Sequence, residues 1–169
     1  AEYLGLDSSE TAITTLPINY SFGLSIINSH LFVGGSVVMT MESITQRRFW
    51  NLFKSFNVTS LSGDPYTFEI LKKFRLLNAE LSSLKTLTQA GGKLSNDLIE
   101  HFVQFSTNNG IRFFIMYGQT EGTARLSYLP PQFNMEKLGS IGEAIPNGEF
   151  QIIDENGNII NQPGTSGEL

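Results

Sequence analysis

The chain has 169 residues, of which 40% are hydrophobic and 16% charged, and its formal net charge is -5. This composition is typical of a folded domain or part of a larger protein, and the acidic balance argues against nucleic acid or an anionic membrane surface as a partner. The chain has no cysteine and only two histidines, which excludes disulfides, thiolate catalysis, cysteine-based zinc sites and a histidine-rich metal centre. Neither a membrane-spanning apolar run nor a signal peptide is recognised, so we expect a cytoplasmic protein.

Four helices are predicted from hydrophobic periodicity and from capping residues. The first ends at a glycine pair, and the second has aromatic residues at spacings of three and four, which place them on one face. The third begins at Asp64, because a capping aspartate followed by proline at the first helical position favours a helix start. In chain order, the predicted helices cover residues 24–33, 45–56, 64–77 and 95–105.

Short apolar runs between these helices predict strands at residues 37–39, 58–61, 84–88 and 113–116. Strands separated by helices of roughly 10 to 15 residues indicate βαβ units and parallel neighbours. The crossovers in such units are right-handed. We therefore predict an α/β fold in which helices flank a mostly parallel sheet.

The pattern changes after residue 121. Residues 123–129 predict a strand that a proline pair ends, and residues 139–148 predict a loop rich in glycine and proline. Two further strands are expected at residues 150–153 and 159–160, on either side of a turn. We expect an α/β subdomain at residues 1–125 and a truncated β-rich extension at residues 126–169. Residues 1–6 resemble the end of a helix and residues 164–169 the start of a strand, so we expect an excerpt of a longer protein.

The most informative segment follows the strand at residues 113–116. It reads Tyr117-Gly118-Gln119-Thr120-Glu121. In open α/β sheets, ligands bind at the carboxyl ends of the strands. There the aromatic ring can stack on a base, the hydroxyl can bond a phosphate oxygen, and the carboxylate can hold Mg²⁺. Considered alone, the same residues also fit a turn and a helix cap.

Four segments, in order, resemble motifs of the large N-terminal domain of the adenylate-forming superfamily. This superfamily includes acyl-CoA and aryl-CoA synthetases, adenylation domains of nonribosomal peptide synthetases and beetle luciferases. Residues 16–24 resemble its Pro-Leu-x-His-x-x-Gly stretch, and residues 89–95 its Ser-Gly-Ala/Gly-Ala-Pro-Leu segment. Residues 117–121 are similar to its Tyr-Gly-x-Thr-Glu motif, and residues 139–169 to its Gly-Ser-x-Gly, Asp-x-x-Gly and Gly-x-x-Gly-Glu-Leu run. Each motif alone is weak, but four in order make the resemblance specific.

The resemblance implies an ATP-dependent, AMP-forming carboxylate ligase. In this family a carboxylate attacks the α-phosphate of Mg-ATP, pyrophosphate leaves, and a thiol of coenzyme A or carrier-protein pantetheine takes the acyl group. Carried over to this chain, the family pattern implies nucleotide contacts by Gly91, Gly92, Tyr117, Gly118, Gln119 and Thr120. Tyr117 would stack on adenine, with the Gly91-Gly92 backbone on the other side of the base. The family pattern also implies that Thr120, Glu121 and Tyr20 are catalytic and that Glu121 binds Mg²⁺.

Two positions depart from the family pattern. Tyr20 stands where many acyl-CoA synthetases carry a histidine that contacts the α-phosphate and the carboxylate. A phenol can donate a hydrogen bond there without the charge of an imidazolium, or it can be a packing aromatic. Lys93 replaces the usual proline after the glycines. Both departures leave room for a catalytically inactive homologue that acts as a nucleotide- or acyl-binding or scaffold module.

The resemblance also implies parts outside this sequence. The family's phosphate loop would precede Ala1, and its small C-terminal domain with a catalytic lysine would follow Leu169, so these residues alone are expected to be inactive. A third hypothesis is an unrelated nucleotide-binding α/β domain that shares the motif of residues 117–121 by chance. It predicts that the strand ending at Met116 is not central and that Glu121 points away from any cleft.

Overall fold

The computed structural model describes residues 1–77 and 81–169. Its strands, in chain order, are β1 (Thr11–Ile13), β2 (Ser36–Val38), β3 (Ser60–Gly63), β4 (Thr86–Gln89), β5 (Arg112–Tyr117), β6 (Ser127–Leu129) and β7 (Glu143–Ala144). They form one sheet in the order β2-β1-β3-β4-β5-β6-β7. Strands β1 to β5 pair with one another in parallel, whereas β6 pairs antiparallel with both β5 and β7. The prediction of a mostly parallel α/β sheet is confirmed.

The four predicted helices are present with shifted ends. They are α1 (Ser21–Phe32), α2 (Arg47–Ser55), α3 (Pro65–Lys73) and α4 (Asn96–Asn109), and single 3-10 turns lie at Glu2–Leu4 and Pro131–Phe133. Helix α1 starts before its apolar run because Tyr20, with extended backbone, is its N-cap. The Asp64 carboxylate caps α3 by accepting a hydrogen bond from the Thr67 amide. Helix α3 ends before residue 77, since Arg75 already has a positive φ of 50°.

The core has two layers, one on each face of the sheet. Strand β5 shows the division: Phe113 and Ile115 join the cluster under α2, α3 and α4, whereas Phe114 and Met116 join the cluster under α1. Burial on both faces explains why this strand is a continuous apolar run. β5 lies between β4 and β6, so the expectation of a non-central strand, made by the chance-resemblance hypothesis, is wrong.

The sequence-based strand predictions fail mainly at the two ends of the chain. Strand β1 was not predicted, and the strand expected at residues 123–129 is reduced to Ser127–Leu129. Strand β7 lies within the predicted loop at residues 139–148. The strands expected at residues 150–153 and 159–160 are replaced by isolated bridges from Ile153 to Ile159 and to Glu168. Most side chains of that segment are exposed, so no core packing extends these bridges into a ladder.

Among residues 1–77 and 81–169, none of the helices has the length and apolar character that crossing a lipid bilayer requires.

Candidate functional site

The candidate site lies at the carboxyl ends of β3, β4 and β5. These strands are in register, with Gly63 beside Gln89 and Gln89 beside Ile115. Each strand therefore ends at the same edge, where the chain enters the segments after Gly63, Gln89 and Tyr117. Parallel strands place ligand-binding loops at this edge, so the fold brings the second and third motifs together.

The structure places Tyr20 against the glycine pair. A Cβ added to Gly91 would lie 2.5 Å from the Tyr20 hydroxyl oxygen, and Gly91 has a positive φ of 82°. The backbone angle favours glycine here, and a Cβ would also displace the Tyr20 hydroxyl. The Tyr20 ring also meets Phe22 edge to face, with ring centroids 6.4 Å apart. Tyr20 thus packs against a neighbouring aromatic ring and also presents a hydroxyl at the loop after β4.

The segment after β5 folds back on itself as a tight loop. The Gln119 amide donates to the Thr123 carbonyl over 2.9 Å, and the Leu126 amide donates to the Tyr117 carbonyl over 2.7 Å. A Cβ on Gly118 would lie 2.1 Å from the Ala124 carbonyl oxygen, so only glycine fits. No helix follows in the described residues up to β6, and the helix-cap interpretation of this motif is therefore wrong.

Polar side chains of this loop are exposed and partly oriented by neighbours. The Thr120 hydroxyl lies 3.2 Å from the Ser21 hydroxyl at the start of α1. The Gln119 side-chain amide donates to the Tyr117 hydroxyl, which fixes the phenol ring. Glu121 is exposed beside Thr120. The loop can therefore offer a hydroxyl and a carboxylate to a ligand at the sheet edge.

A cavity of about 380 Å³ lies between the loop after β4 and the end of β5. Gly91, Gly92, Tyr117 and Gly118 are among its lining residues. Its remaining lining residues are Gln89, Lys93, Leu94, Ile99, Ile115, Met116, Gly139 and Ile141. The volume is within the range of small-molecule sites. Four of the six predicted nucleotide contacts thus line one cavity.

Several residues that line this cavity, among them Gln89, Gly139 and Ile141, had no predicted role at the site. Gly139 and Ile141 belong to the fourth motif, which was recognised without a role at the site. Gln89 is only 1% exposed, and its side-chain nitrogen donates to the Ala90 carbonyl at 3.2 Å and to the Gly92 carbonyl at 2.8 Å. These bonds leave its Oε1 atom buried without a hydrogen-bond partner. The signal in the sequence was a polar residue directly before Ala90 and the glycine pair.

A larger cavity of about 540 Å³ lies farther along the same sheet edge. It shares no lining residue with the first cavity. Leu16 and Pro17 of the first motif line it, together with Glu42 and Asp64. Gly91, Gly92, Tyr117 and Gly118 line the smaller cavity and none of them lines the larger one, so the smaller cavity is the better candidate for nucleotide binding. Tyr20, Gln119, Thr120 and Glu121 line neither cavity.

The side chains at the site suit a metal ion that binds together with a nucleotide. In the described ranges, no group of three or more histidine, aspartate or glutamate side chains is arranged to hold a metal ion. Glu121 offers a single exposed carboxylate next to the Thr120 hydroxyl. Mg²⁺ is commonly bound through one or two carboxylates together with substrate phosphates and water. The residues present therefore fit a magnesium-nucleotide complex better than a protein-only metal centre.

Comparison with known proteins places these motifs in a family. The model of the family described as AMP-binding enzyme matches residues 1–169. Indoleacetate–CoA ligase of Aromatoleum aromaticum is 24% identical over 165 residues, which are 97% of this chain and 31% of the relative. The mitochondrial acyl-coenzyme A synthetase ACSM6 of Homo sapiens is 28% identical over 88% of this chain and 30% of its own length. This chain thus spans about a third of the length of these relatives.

Solved structures agree with this placement. O-succinylbenzoate coenzyme A synthetase (MenE) from Bacillus subtilis in complex with AMP superposes with a TM-score of 0.81 and 26% identity. The match covers 98% of this chain and 32% of that structure. The same enzyme with its acyl-adenylate intermediate gives a TM-score of 0.82, at 26% identity over 98% of this chain and 32% of that one.

Proposed function

Because this chain belongs to the AMP-binding enzyme family, we propose that the natural protein joins a carboxylic acid to AMP and then to a thiol. A carboxylate oxygen would attack the α-phosphorus of ATP, the bond between the α- and β-phosphates would break, and pyrophosphate would leave. The thiol would then displace AMP from the acyl-adenylate. The observation that carries this proposal is the meeting of Tyr20, Gly91 and the loop at residues 117–121 at one sheet edge.

We assign the cavity between Gly91 and Tyr117 to the nucleotide base. The glycines in its lining permit backbone contact, and the Tyr117 ring in its lining can supply a surface for stacking. The unpartnered Gln89 Oε1 can accept a hydrogen bond from an exocyclic amine. Such an acceptor favours adenine over a base with a carbonyl at that position.

Thr120 and Tyr20 are assigned to the reacting phosphate. The attack places additional charge on the α-phosphate oxygens, and hydroxyl donors held in place stabilise that charge without reorganising. Ser21 orients Thr120 through the 3.2 Å contact between their hydroxyls. Tyr20 is held by packing on Phe22 and by the adjacent Gly91. Tyr20 would thus supply a neutral hydrogen bond where many relatives use histidine.

Glu121 is the residue that would hold Mg²⁺. When bound, the ion would neutralise phosphate charge and stabilise the leaving pyrophosphate. The contribution of this chain is the position of the carboxylate, next to Thr120 in a loop closed by the Gly118–Ala124 packing. One carboxylate is enough, because the phosphates supply further oxygen ligands.

We propose coenzyme A as the acceptor, because the similar proteins include two that are coenzyme A ligases or synthetases by name. A carrier-protein thiol stays an alternative. The cytoplasmic location and the boundary at residue 125 stay predictions. One of the similar proteins is mitochondrial by name, and β6 and β7 continue the sheet across that boundary.

The test is ATP–pyrophosphate exchange by the complete natural protein with a panel of carboxylic acids. The variant Glu121→Gln removes the metal-binding charge, and Glu155→Gln, at an exposed turn, is the matched control. We expect acid-dependent exchange that falls by about 100-fold or more in Glu121→Gln and is unchanged in Glu155→Gln. Higher Mg²⁺ concentrations should recover part of the loss.

Two results would contradict the proposal. Full exchange in Glu121→Gln would refute the metal assignment while leaving the reaction in place. If the folded protein bound ATP but gave no exchange with any acid, the ligase proposal would be wrong and the inactive binding module favoured. Tyr20 and Lys93, which depart from the family pattern, are the residues that keep this second function under consideration.

A further inference from the structure

Lys93 is the one charged residue among the described residues that line the cavity of about 380 Å³. It follows the glycine pair in the loop after β4 and stands where the family pattern has proline. The other lining residues are apolar or neutral. Lys93 therefore gives this cavity an ammonium donor, which a proline at the same position could not supply.

The described part of the protein does not use this ammonium group. Its ion pairs join Arg48 to Glu42 and Arg112 to Glu10, and Lys93 makes no side-chain hydrogen bond to another described residue. Lys93 is exposed, and its Cε atom lies 4.0 Å from the position of a Cβ built on Gly139. The stem thus runs beside Gly139, which lines the same cavity, and three N–H donors are available to a ligand there.

Gln89 holds the loop from which Lys93 extends. Its side-chain nitrogen donates to the Ala90 carbonyl over 3.2 Å and to the Gly92 carbonyl over 2.8 Å, and Gly92 directly precedes Lys93. These two bonds also fix the orientation of the amide, because a flipped amide would place its oxygen against two carbonyl oxygens. The Oε1 atom of Gln89 is buried without a partner. One short loop thus carries a fixed acceptor and a charged donor.

The edge of adenine offers the complementary pair of groups. Its exocyclic amine is a donor, and a ring nitrogen that accepts hydrogen bonds stands on each side of that amine, N1 on one side and N7 on the other. A base whose amine bonds Gln89 Oε1 therefore presents a ring nitrogen directly beside that bond. An acceptor and a neighbouring donor on the protein match this pattern.

We propose that Lys93 donates a hydrogen bond to the ring nitrogen beside the exocyclic amine, so that Gln89 and Lys93 together recognise the edge of adenine. The inference rests on the proposed function, in which this cavity holds the base, and adds a specificity-determining residue. The base is a better partner for Lys93 than the phosphates, because Tyr20, Thr120 and Glu121 line neither cavity. One ammonium donor can bind the base while the others stay hydrated, so no charge has to be buried.

Two other roles of Lys93 predict different results. A solvated surface lysine has no effect on nucleotide affinity. A lysine that attracts the phosphates by its charge strengthens the binding of AMP but not of adenosine, and it treats all bases alike. A lysine that bonds a ring nitrogen strengthens the binding of adenosine and AMP equally, and only when that nitrogen is present. The test therefore compares bases as well as protein variants.

The experiment is calorimetric titration of the complete natural protein with adenosine, AMP, and the 1-deaza, 3-deaza and 7-deaza forms of AMP. Each deaza form replaces one ring nitrogen by C–H, and the 3-deaza form is a control because N3 is not next to the amine. The variants are Lys93→Met, which keeps the stem without the ammonium group, and Lys93→Arg, which keeps the charge. Lys85→Met, at the exposed position before β4 and at the other end of that strand, controls for the loss of one positive charge.

We expect either 1-deaza-AMP or 7-deaza-AMP to bind the unmodified protein about tenfold more weakly than AMP, because a hydrogen bond from a charged donor is lost. The 3-deaza form should bind within about threefold of AMP. Lys93→Met should weaken AMP and adenosine by the same factor of about ten and remove the difference between AMP and the sensitive deaza form. Lys93→Arg should retain part of that difference, and Lys85→Met should behave as the unmodified protein.

Three results would overturn the inference and leave the ligase function standing. They are equal binding of all deaza forms to the unmodified protein, unchanged affinities in Lys93→Met, and a loss in Lys93→Met that is confined to AMP. ATP–pyrophosphate exchange tests the ligase function separately. Absence of exchange with every acid would refute that function, whereas a deaza effect that disappears in Lys93→Met would still support the contact. A folded protein that binds none of these compounds would overturn both the inference and the assignment of the cavity.

Discussion

The hydroxyls of Ser21 and Thr120 lie 3.2 Å apart, although 99 residues separate them in the chain. Ser21 opens helix α1 on one face of the sheet, and Thr120 belongs to the loop after β5. Their contact joins the first recognised motif to the third at the edge where the strands end. Either oxygen can be the donor in this hydrogen bond. Ser21 can therefore accept a hydrogen bond from the Thr120 hydroxyl or donate one to it, depending on what the ligand offers to Thr120.

This contact leads to a graded prediction. Thr120→Val should lower the rate of ATP–pyrophosphate exchange by about 10²- to 10³-fold, because a donor to the developing phosphate charge is lost. Ser21→Ala should cost less than about tenfold, since it removes only an exposed neutral hydrogen bond. Exchange rates of both variants at saturating ATP provide the measurement. An equal loss in the two variants would indicate that Ser21 itself contacts the nucleotide.

The approach of Tyr20 to Gly91 predicts coupling between the two positions. Gly91→Ala should lower the free energy of unfolding by about 1–3 kcal/mol, because the new Cβ would lie 2.5 Å from the Tyr20 hydroxyl oxygen and φ is 82°. Adding Tyr20→Phe removes the nearest atom and leaves a ring carbon at 3.5 Å, so the double variant should recover part of the loss. Urea unfolding of the four proteins in this cycle measures the coupling.

Gly110→Ala is the control for this cycle. Gly110 also has a positive φ, of 66°, but a Cβ there would meet no atom within 4 Å. Gly110→Ala should lower the free energy of unfolding by about 1 kcal/mol through backbone strain alone, and this loss should be the same with Tyr20 or Phe at position 20. Strictly additive effects of Gly91→Ala and Tyr20→Phe would contradict the proposed contact.

Two helix starts allow a matched test of capping. The Asp64 carboxylate accepts hydrogen bonds from the Thr67 amide at 2.8 Å and from its hydroxyl at 2.7 Å. Ser95 occupies the same position in α4 without a side-chain capping bond. Asp64→Ala should therefore lower the free energy of unfolding by about 1 kcal/mol, and Ser95→Ala by only a few tenths. The two variants are compared by urea unfolding, and equal losses would contradict the assignment of the caps.

Burial of His30 predicts a pH dependence of stability. Its Nδ1 bonds the Ile26 carbonyl at 2.8 Å, and desolvation by burial is the main cause of its lowered pKa. As pH falls below the ordinary histidine value of about 6.5, the unfolded chain takes up the proton before the native state does. The free energy of unfolding should therefore decline with falling pH until the lowered native pKa is passed.

The variant His30→Gln tests this dependence. Relative to the unmodified protein, it should flatten the fall in stability below about pH 6.5 and leave the slope above about pH 7.5 unchanged. His101→Gln controls for the other histidine, whose pKa is also lowered, first by burial and then by Lys72. A His30→Gln variant with an unchanged pH slope would show that protonation of His30 is not linked to unfolding.

Local sequence signals predicted the helices and the central strands. The aromatic spacing of α2, the Asp64-Pro65 start of α3 and the apolar run of β5 act within a few residues, so the sequence alone reveals them. The same holds for the motif at residues 117–121, whose residue types indicate phosphate and metal chemistry at a strand end. The α/β fold, predicted from the alternation of strands and helices, and the resemblance to adenylate-forming enzymes were available from the sequence for this reason.

Tertiary structure decided where those residues meet. β1 (Thr-Ala-Ile) and β7 (Glu-Ala) lack the valine pair that marks β2, and they are strands because neighbouring strands pair with them. The Tyr20–Gly91 approach, the Ser21–Thr120 contact and the Ser29–Arg125 hydrogen bond join segments tens of residues apart. Local propensity carries no information on contacts between residues so far apart in the sequence. These side chains meet only because the strands pair in one sheet and α1 packs on that sheet.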